Sequence, residues 1–146
     1  LIGLTHAQTG AAAETRLRAL QAAGRPLRYD GVVSDEAVEA AYAACSFTAY
    51  PSLAEGFGLP VIESLAHGKP CICSSQGALG ESSRGGGCVA PPSVDAASLA
   101  TALAHLIESP AALATLATAA RARQCRDWPT YVAELAGWMR ELSARK

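Results

Sequence analysis

Net charge is nearly absent from this chain. Its 12 lysines and arginines face 13 aspartates and glutamates, a formal charge of −1 over 146 residues. A balance so close to zero gives no global attraction for nucleic acid or for an acidic membrane surface. Aromatic residues are scarce at 5%, and charged residues make up only 17%. The longest apolar runs are too short to cross a bilayer. No signal peptide is legible. No C-x-x-C pair occurs among the five cysteines, which are Cys45, Cys71, Cys73, Cys88 and Cys125. Cys71 and Cys73 are one residue apart, so on a strand they share a face, and that spacing matches no common zinc site. The expectation is reduced, buried thiols acting as small apolar side chains in a cytoplasmic protein, with no metal.

What is present is a hydrophobic half: 50% of the chain, enough for the core of one domain. The chain opens on Leu1-Ile2-Gly3-Leu4, which reads as the middle of a strand, without an initiator Met. The expectation is a single domain, 1–146, cut from a longer protein at its N-terminal side.

Along the chain, Leu1 to Thr5 reads as a strand and Ala11 to Ala23 as a helix ended by Gly24 and Pro26. Pro26 to Val33 reads as a strand. Ser34 then caps a helix to about Ala44, with Asp35 and Glu36 in its first turn. Ser46 to Tyr50 and Pro70 to Ser74 read as strands, and Gly87 to Ala90 as a weak one. Pro60 to His67 reads as a short helix left at Gly68. Ser75 to Gly87, rich in Gly and Ser, reads as a loop. The remainder reads as three helices. The first keeps Leu99, Leu103, Leu106 and Ile107 on one face and ends near Ser109-Pro110; the second spans about Ala111 to Gln124. The third carries Trp128, Tyr131, Val132, Leu135, Trp138, Met139 and Leu142 as a stripe. Residues 111–146 are expected to pack on the domain through that stripe, or else to dock on a missing domain. Alternating strands and helices with short loops predict an α/β fold, a Rossmann-like parallel sheet with helices on both faces.

Ligands of such sheets sit at the carboxyl ends of strands, often on helix N-termini. The run A-E-G-F-G-L-P-V-I-E-S, Ala54 to Ser64, lies at such a place. Gly56 and Gly58 let backbone approach a ligand closely or take positive φ. The helix that follows offers N–H groups and a partial positive charge, which suit a phosphate or diphosphate. Glu63, one turn in, can accept from both hydroxyls of a ribose, and Glu55 from sugar hydroxyls. A ligand with phosphates in the middle and hydroxyls at both ends has the shape of a sugar nucleotide. Each part also has a plain alternative: a turn before a helix, a solvated helix glutamate, a loop acid. His67 and Lys69 read as surface residues at a helix end, Arg84 as a solvated loop arginine, and Ser82 and Ser83 as caps. For Glu81, a loop-capping carboxylate and a ligand contact weigh equally.

Pro51 to Pro70, P-S-L-A-E-G-F-G-L-P-V-I-E-S-L-A-H-G-K-P, resembles the E-x7-E signature of retaining glycosyltransferases of family 4, which have the GT-B fold. It departs from the family pattern with Ser64 for Ala and Cys71 for Val. Tyr29 to Ala44 is similar to the family's upstream segment, and Gly77 to Glu81 to its downstream loop, with Gly80 in place of Pro.

The resemblance implies a C-terminal, donor-binding domain whose partner, an N-terminal acceptor-binding domain, is missing. It implies Glu55 as the catalytic carboxylate beside the donor sugar. Gly56, Phe57 and Gly58 would line the sugar pocket, the N–H groups of Leu59 and Val61 would meet the diphosphate, and Glu63 would bind the ribose. It implies no metal and no cofactor beyond the nucleoside-diphosphate sugar, because an Arg and a Lys upstream neutralise the leaving diphosphate. The expected parent transfers a hexose, as a mannosyl- or rhamnosyltransferase of bacterial polysaccharide synthesis, to a glycan or lipid-linked acceptor, with peripheral association at the inner face of the membrane. The chain alone is expected to be inactive. A sugar-nucleotide epimerase and a non-catalytic scaffolding module are the alternatives. The first predicts another pattern around the second glutamate, and the intact pair Glu55 and Glu63 argues against the second.

Overall fold

The structure is a computed structural model that describes residues 1–3, 10–125 and 127–144. The chain divides into two compact units, 1–44 and 45–146.

The first unit holds α1 (Ala11–Ala22) and α2 (Asp35–Ala44), close to the predicted bounds. The Ser34 carbonyl accepts from Val38 N–H at 3.1 Å and opens α2 as expected. The strand predicted over Pro26 to Val33 does not form. Among the described residues a single parallel bridge, Ile2 to Gly31, takes its place. Pro26 has no N–H to give to a ladder, and Gly31 turns left-handed (φ +67°) at the bridge. Leu4 and Thr5 of the predicted first strand lie outside the described residues.

The second unit carries a three-stranded parallel sheet in the order β1 (Thr48–Tyr50), β2 (Cys71–Cys73), β3 (Cys88–Val89). Helix α3 (Leu59–Ala66) crosses from β1 to β2, and α4 (Gly77–Ser83) from β2 to β3. The central strand Cys71-Ile72-Cys73 is buried on both sides, as its unbroken apolar run requires. Cys71 and Cys73 share one face with Val61 and Leu65 of α3 and Leu79 of α4. Ile72 faces the other way, against Ala102 and Leu106 of α5 (Ala96–Glu108). Helix α6 (Pro110–Arg121) adds Ala120 to the first cluster and Leu116 to the second. The predicted parallel sheet with helices on both faces is therefore present.

Ser64, which replaces the small apolar residue of the family pattern, is wholly buried. Its hydroxyl pairs with that of Thr48 at 2.7 Å and donates to the Lys69 carbonyl at 3.0 Å, so it costs nothing in unmet hydrogen bonds and ties α3 to β1.

Three expectations need correction. The glycine- and serine-rich loop contains α4, whose poor helix formers are held by packing. Leu79, Gly80 and Ser82 are buried, and a Cβ on Gly80 would sit 2.3 Å from the Ser75 carbonyl oxygen. On α5 the inner face is Leu99, Ala102, Leu103 and Leu106; Ile107 is 69% exposed, one position past the helical repeat. The stripe of α7 (Trp128–Ala144) does not enter either core cluster of the described residues. No described residue of that helix is buried, and Trp128 and Trp138 stand 78% and 58% exposed.

Candidate functional site

Because all three strands run parallel, their carboxyl ends share one edge of the sheet. The segment 51–58 leaves β1 there, and α4 begins just after β2 at the same edge. Gly58 makes the turn into α3. Its φ of +81° is left-handed, and a Cβ there would lie 2.4 Å from Cδ2 of Leu79. Backbone geometry and the closeness of α4 thus both demand glycine. The turn is fastened from below by Ser82, whose hydroxyl donates to the Phe57 carbonyl at 3.1 Å. Arg123 in turn donates to the carbonyls of Ser82 (2.8 Å) and Gly86 (3.1 Å) and holds the end of α4.

Glu55 is exposed on this segment, and Oε1 accepts from the Tyr50 hydroxyl at 2.6 Å. That bond, helped by Ser52, holds the Glu55 carboxyl below the usual carboxylate range. The same bond, with partial burial, pushes the Tyr50 phenol up. Glu55 is thus an ionised, oriented acceptor at neutral pH. Gly56, Phe57 and Leu59 are exposed around it. Glu63 is exposed on α3, off the inner face formed by Val61, Ser64 and Leu65. The edge thus presents two carboxylates flanking a glycine turn and a helix start, an arrangement suited to hydroxyl-rich and anionic groups.

Val61 does not fit its expected place. It is wholly buried, and its N–H donates to the Gly58 carbonyl at 3.0 Å to close the first turn of α3. Lys69 lies at the opposite edge of the sheet, where its Nζ donates to the Cys45 carbonyl at 2.9 Å. It braces the strand entries and does not reach the glycine turn. Glu81 and Arg84 are exposed on and after α4. Tyr50 and Arg123 escaped sequence reasoning, and Ser82, read there as a cap, instead holds the glycine turn through the Phe57 carbonyl. A tyrosine ending a strand looks like core, and only its position five residues before Glu55 hinted at contact. All five cysteines are free thiols, and Cys71 is pushed up by its hydrogen bond with Cys73 and by burial. Among the described residues, no three His, Cys, Asp or Glu side chains gather as a metal site. No single described helix is long and apolar enough to cross a membrane.

Residues 4–109 match the family described as glycosyl transferases group 1. The chain belongs to that family. This group 1 glycosyl transferase chain is 43% identical over 84 residues to the O-antigen chain mannosyltransferase B of Escherichia coli, a match covering 57% of the chain and 21% of that protein. It is 35% identical over 111 residues to the MMP alpha-(1->4)-mannosyltransferase of Mycolicibacterium hassiacum, covering 70% of the chain and 26% of that protein. Among solved structures, the sucrose-phosphate synthase of Thermosynechococcus elongatus superposes on the whole chain with a TM-score of 0.77 at 27% identity, over 38% of its own length. Anabaena HepE, solved in complex with UDP and glucose, shares the fold with a TM-score of 0.68 at 24% identity, over 84% of the chain and 34% of its own. The chain therefore spans about a quarter of the curated relatives it matches and about a third of these structures.

Proposed function

We propose that the chain is the donor-binding part of a retaining glycosyltransferase of family 4, taking a hexose from a nucleoside-diphosphate sugar. The observation that carries this reading is the placing of Glu55, the glycine turn and Glu63 around the start of α3, at the carboxyl edge of a parallel sheet. Glu55 contacts the donor sugar beside the reacting carbon and stabilises positive charge that develops there. The backbone of Gly56, Phe57 and Gly58 lines the sugar pocket. The diphosphate lies against the amide of Leu59; that of Val61 is committed within the helix. Glu63 accepts from the ribose hydroxyls. The cations for the leaving diphosphate come from an upstream Arg and Lys of the parent protein, so the chain alone binds donor without turning it over. Mannose is the favoured sugar, because both curated relatives are mannosyltransferases. The acceptor is a glycan or lipid-linked saccharide met by the parent's other domain, at the cytoplasmic face of the membrane.

The test is thermal stability of the chain with GDP, UDP and dTDP. A nucleotide at a hundred times its Kd stabilises by about 2.7 kcal/mol, a shift readily measured in a domain of this size. Glu63→Ala is expected to weaken that nucleotide about tenfold or more, through hydrogen bonds lost to a charged acceptor. Equal affinity in wild type and variant removes the ribose assignment. No stabilisation by any of the three favours a scaffolding module.

A further inference from the structure

We propose that Tyr50 is a positioning residue whose hydroxyl holds the Glu55 carboxylate in the orientation that receives the donor sugar. The proposal rests on the reading of Glu55 as the sugar-contacting acid. Glu55 sits in a segment without regular structure, and its side chain is exposed. Left alone, such a carboxylate samples many rotamers and must be ordered again each time a ligand binds. Tyr50 removes that freedom. It is the last residue of β1, in register with Cys73 of the central strand, and its ring packs against the cluster of Val61, Leu65, Cys73 and Leu79. The ring is thus fixed by the core of the domain, while its hydroxyl emerges at the sheet edge. The 2.6 Å bond to Oε1 is short, as expected for a phenol donating to an ionised acid. A strand thereby transmits the position of the core to an exposed acid on an irregular segment, which is how precise sites are supported. The depressed carboxyl of Glu55 and the raised phenol of Tyr50 agree that the proton stays on the tyrosine.

The variant is Tyr50→Phe, which keeps the ring in the core and removes only the hydroxyl. Two readouts are taken on the full chain. A carbon-13 titration of the Glu55 carboxyl needs no ligand; in the variant it is expected to move up toward an ordinary exposed glutamate. Calorimetry compares GDP with GDP-mannose and UDP with UDP-glucose. The nucleoside diphosphate is expected to bind equally well to both proteins, while the extra affinity contributed by the sugar falls about two- to tenfold in the variant. A purely structural tyrosine would weaken both ligands together. An unchanged Glu55 titration overturns the proposal, and so does an unchanged ratio of sugar nucleotide to nucleotide. If the wild type binds none of the four ligands, the functional reading falls and the role given to Tyr50 falls with it. That failure is recognisable because the titration of Glu55 still separates the two proteins.

Discussion

Helices α3 and α7 both carry apolar faces, yet they meet opposite environments. In α3, Val61, Ser64 and Leu65 are buried against the sheet. In α7, which is more than twice as long, no described residue is buried and seven large apolar side chains face solvent. The difference lies in what each helix reaches. α3 is tied between two neighbouring parallel strands by short segments, so the crossover presses it onto the sheet. α7 follows α6, whose Ala120 and Leu116 still reach the two core clusters, and is the first helix past the sheet with no described residue in either cluster. An apolar period states that a face wants cover; only the neighbours decide whether it finds any.

Equal truncations on the two helices give the largest contrast. Leu65→Ala removes a side chain only 1% exposed and is expected to cost about 2–5 kcal/mol in chemical denaturation. Leu135→Ala, at 38% exposed and off any core, is expected to stay within about 0.5 kcal/mol. A cost near 2 kcal/mol at Leu135 would show that α7 is covered in solution.

Glycines sharpen the comparison with opposite signs. Gly58→Ala forces a Cβ into Leu79 at positive φ and is expected to destabilise by about 1–3 kcal/mol. Gly137→Ala, in the middle of α7 with no atom within 4 Å of a new Cβ, is expected to stabilise that helix by about 0.5–1 kcal/mol. The same sign at both positions would contradict the packing described for α3.

The smallest effect is one of pH. The first turn of α7 is held by Asp127, which accepts from Thr130 N–H at 2.9 Å, whereas the turn into α3 has no side-chain cap. Hydrogen bonds from the Thr130 side chain and backbone lower the Asp127 carboxyl. The folded value lies below the unfolded one, about 3.9. The cap's contribution is therefore complete above that value and lost as pH falls through the folded pKa. Amide exchange is expected to show α7 fraying first in acid while α3 stays protected. Asp127→Asn should flatten the dependence.

Much of this was legible in the chain. Helices α1, α2, α3 and α6 fall within a few residues of their predicted bounds and α5 ends where expected, because capping residues, prolines and glycines mark ends locally. The site segment was legible for the same reason: Gly56, Gly58 and Pro60 announce a turn into a helix, with Glu55 and Glu63 spaced around it. Helix α4 was not, because its glycines and serines argue for a loop and its stability comes from Leu79 and Ser82 meeting α3 and the Phe57 carbonyl. The strand over Pro26 to Val33 had the right composition, and among the described residues it pairs with residues 1–3 through one parallel bridge only.

The sequence by itself determined the parallel α/β order, the buried central strand and the position of the glycine turn between two acids. Each depends on local periodicity or on the backbone freedom of single residues. Only the tertiary structure decided that Gly58 must be glycine against Leu79, that Val61 has no amide to offer, that Lys69 works at the far edge, and that Tyr50 holds Glu55. Those facts are contacts between residues distant in the chain or on different elements, and a one-dimensional pattern records what a residue is without recording what it meets.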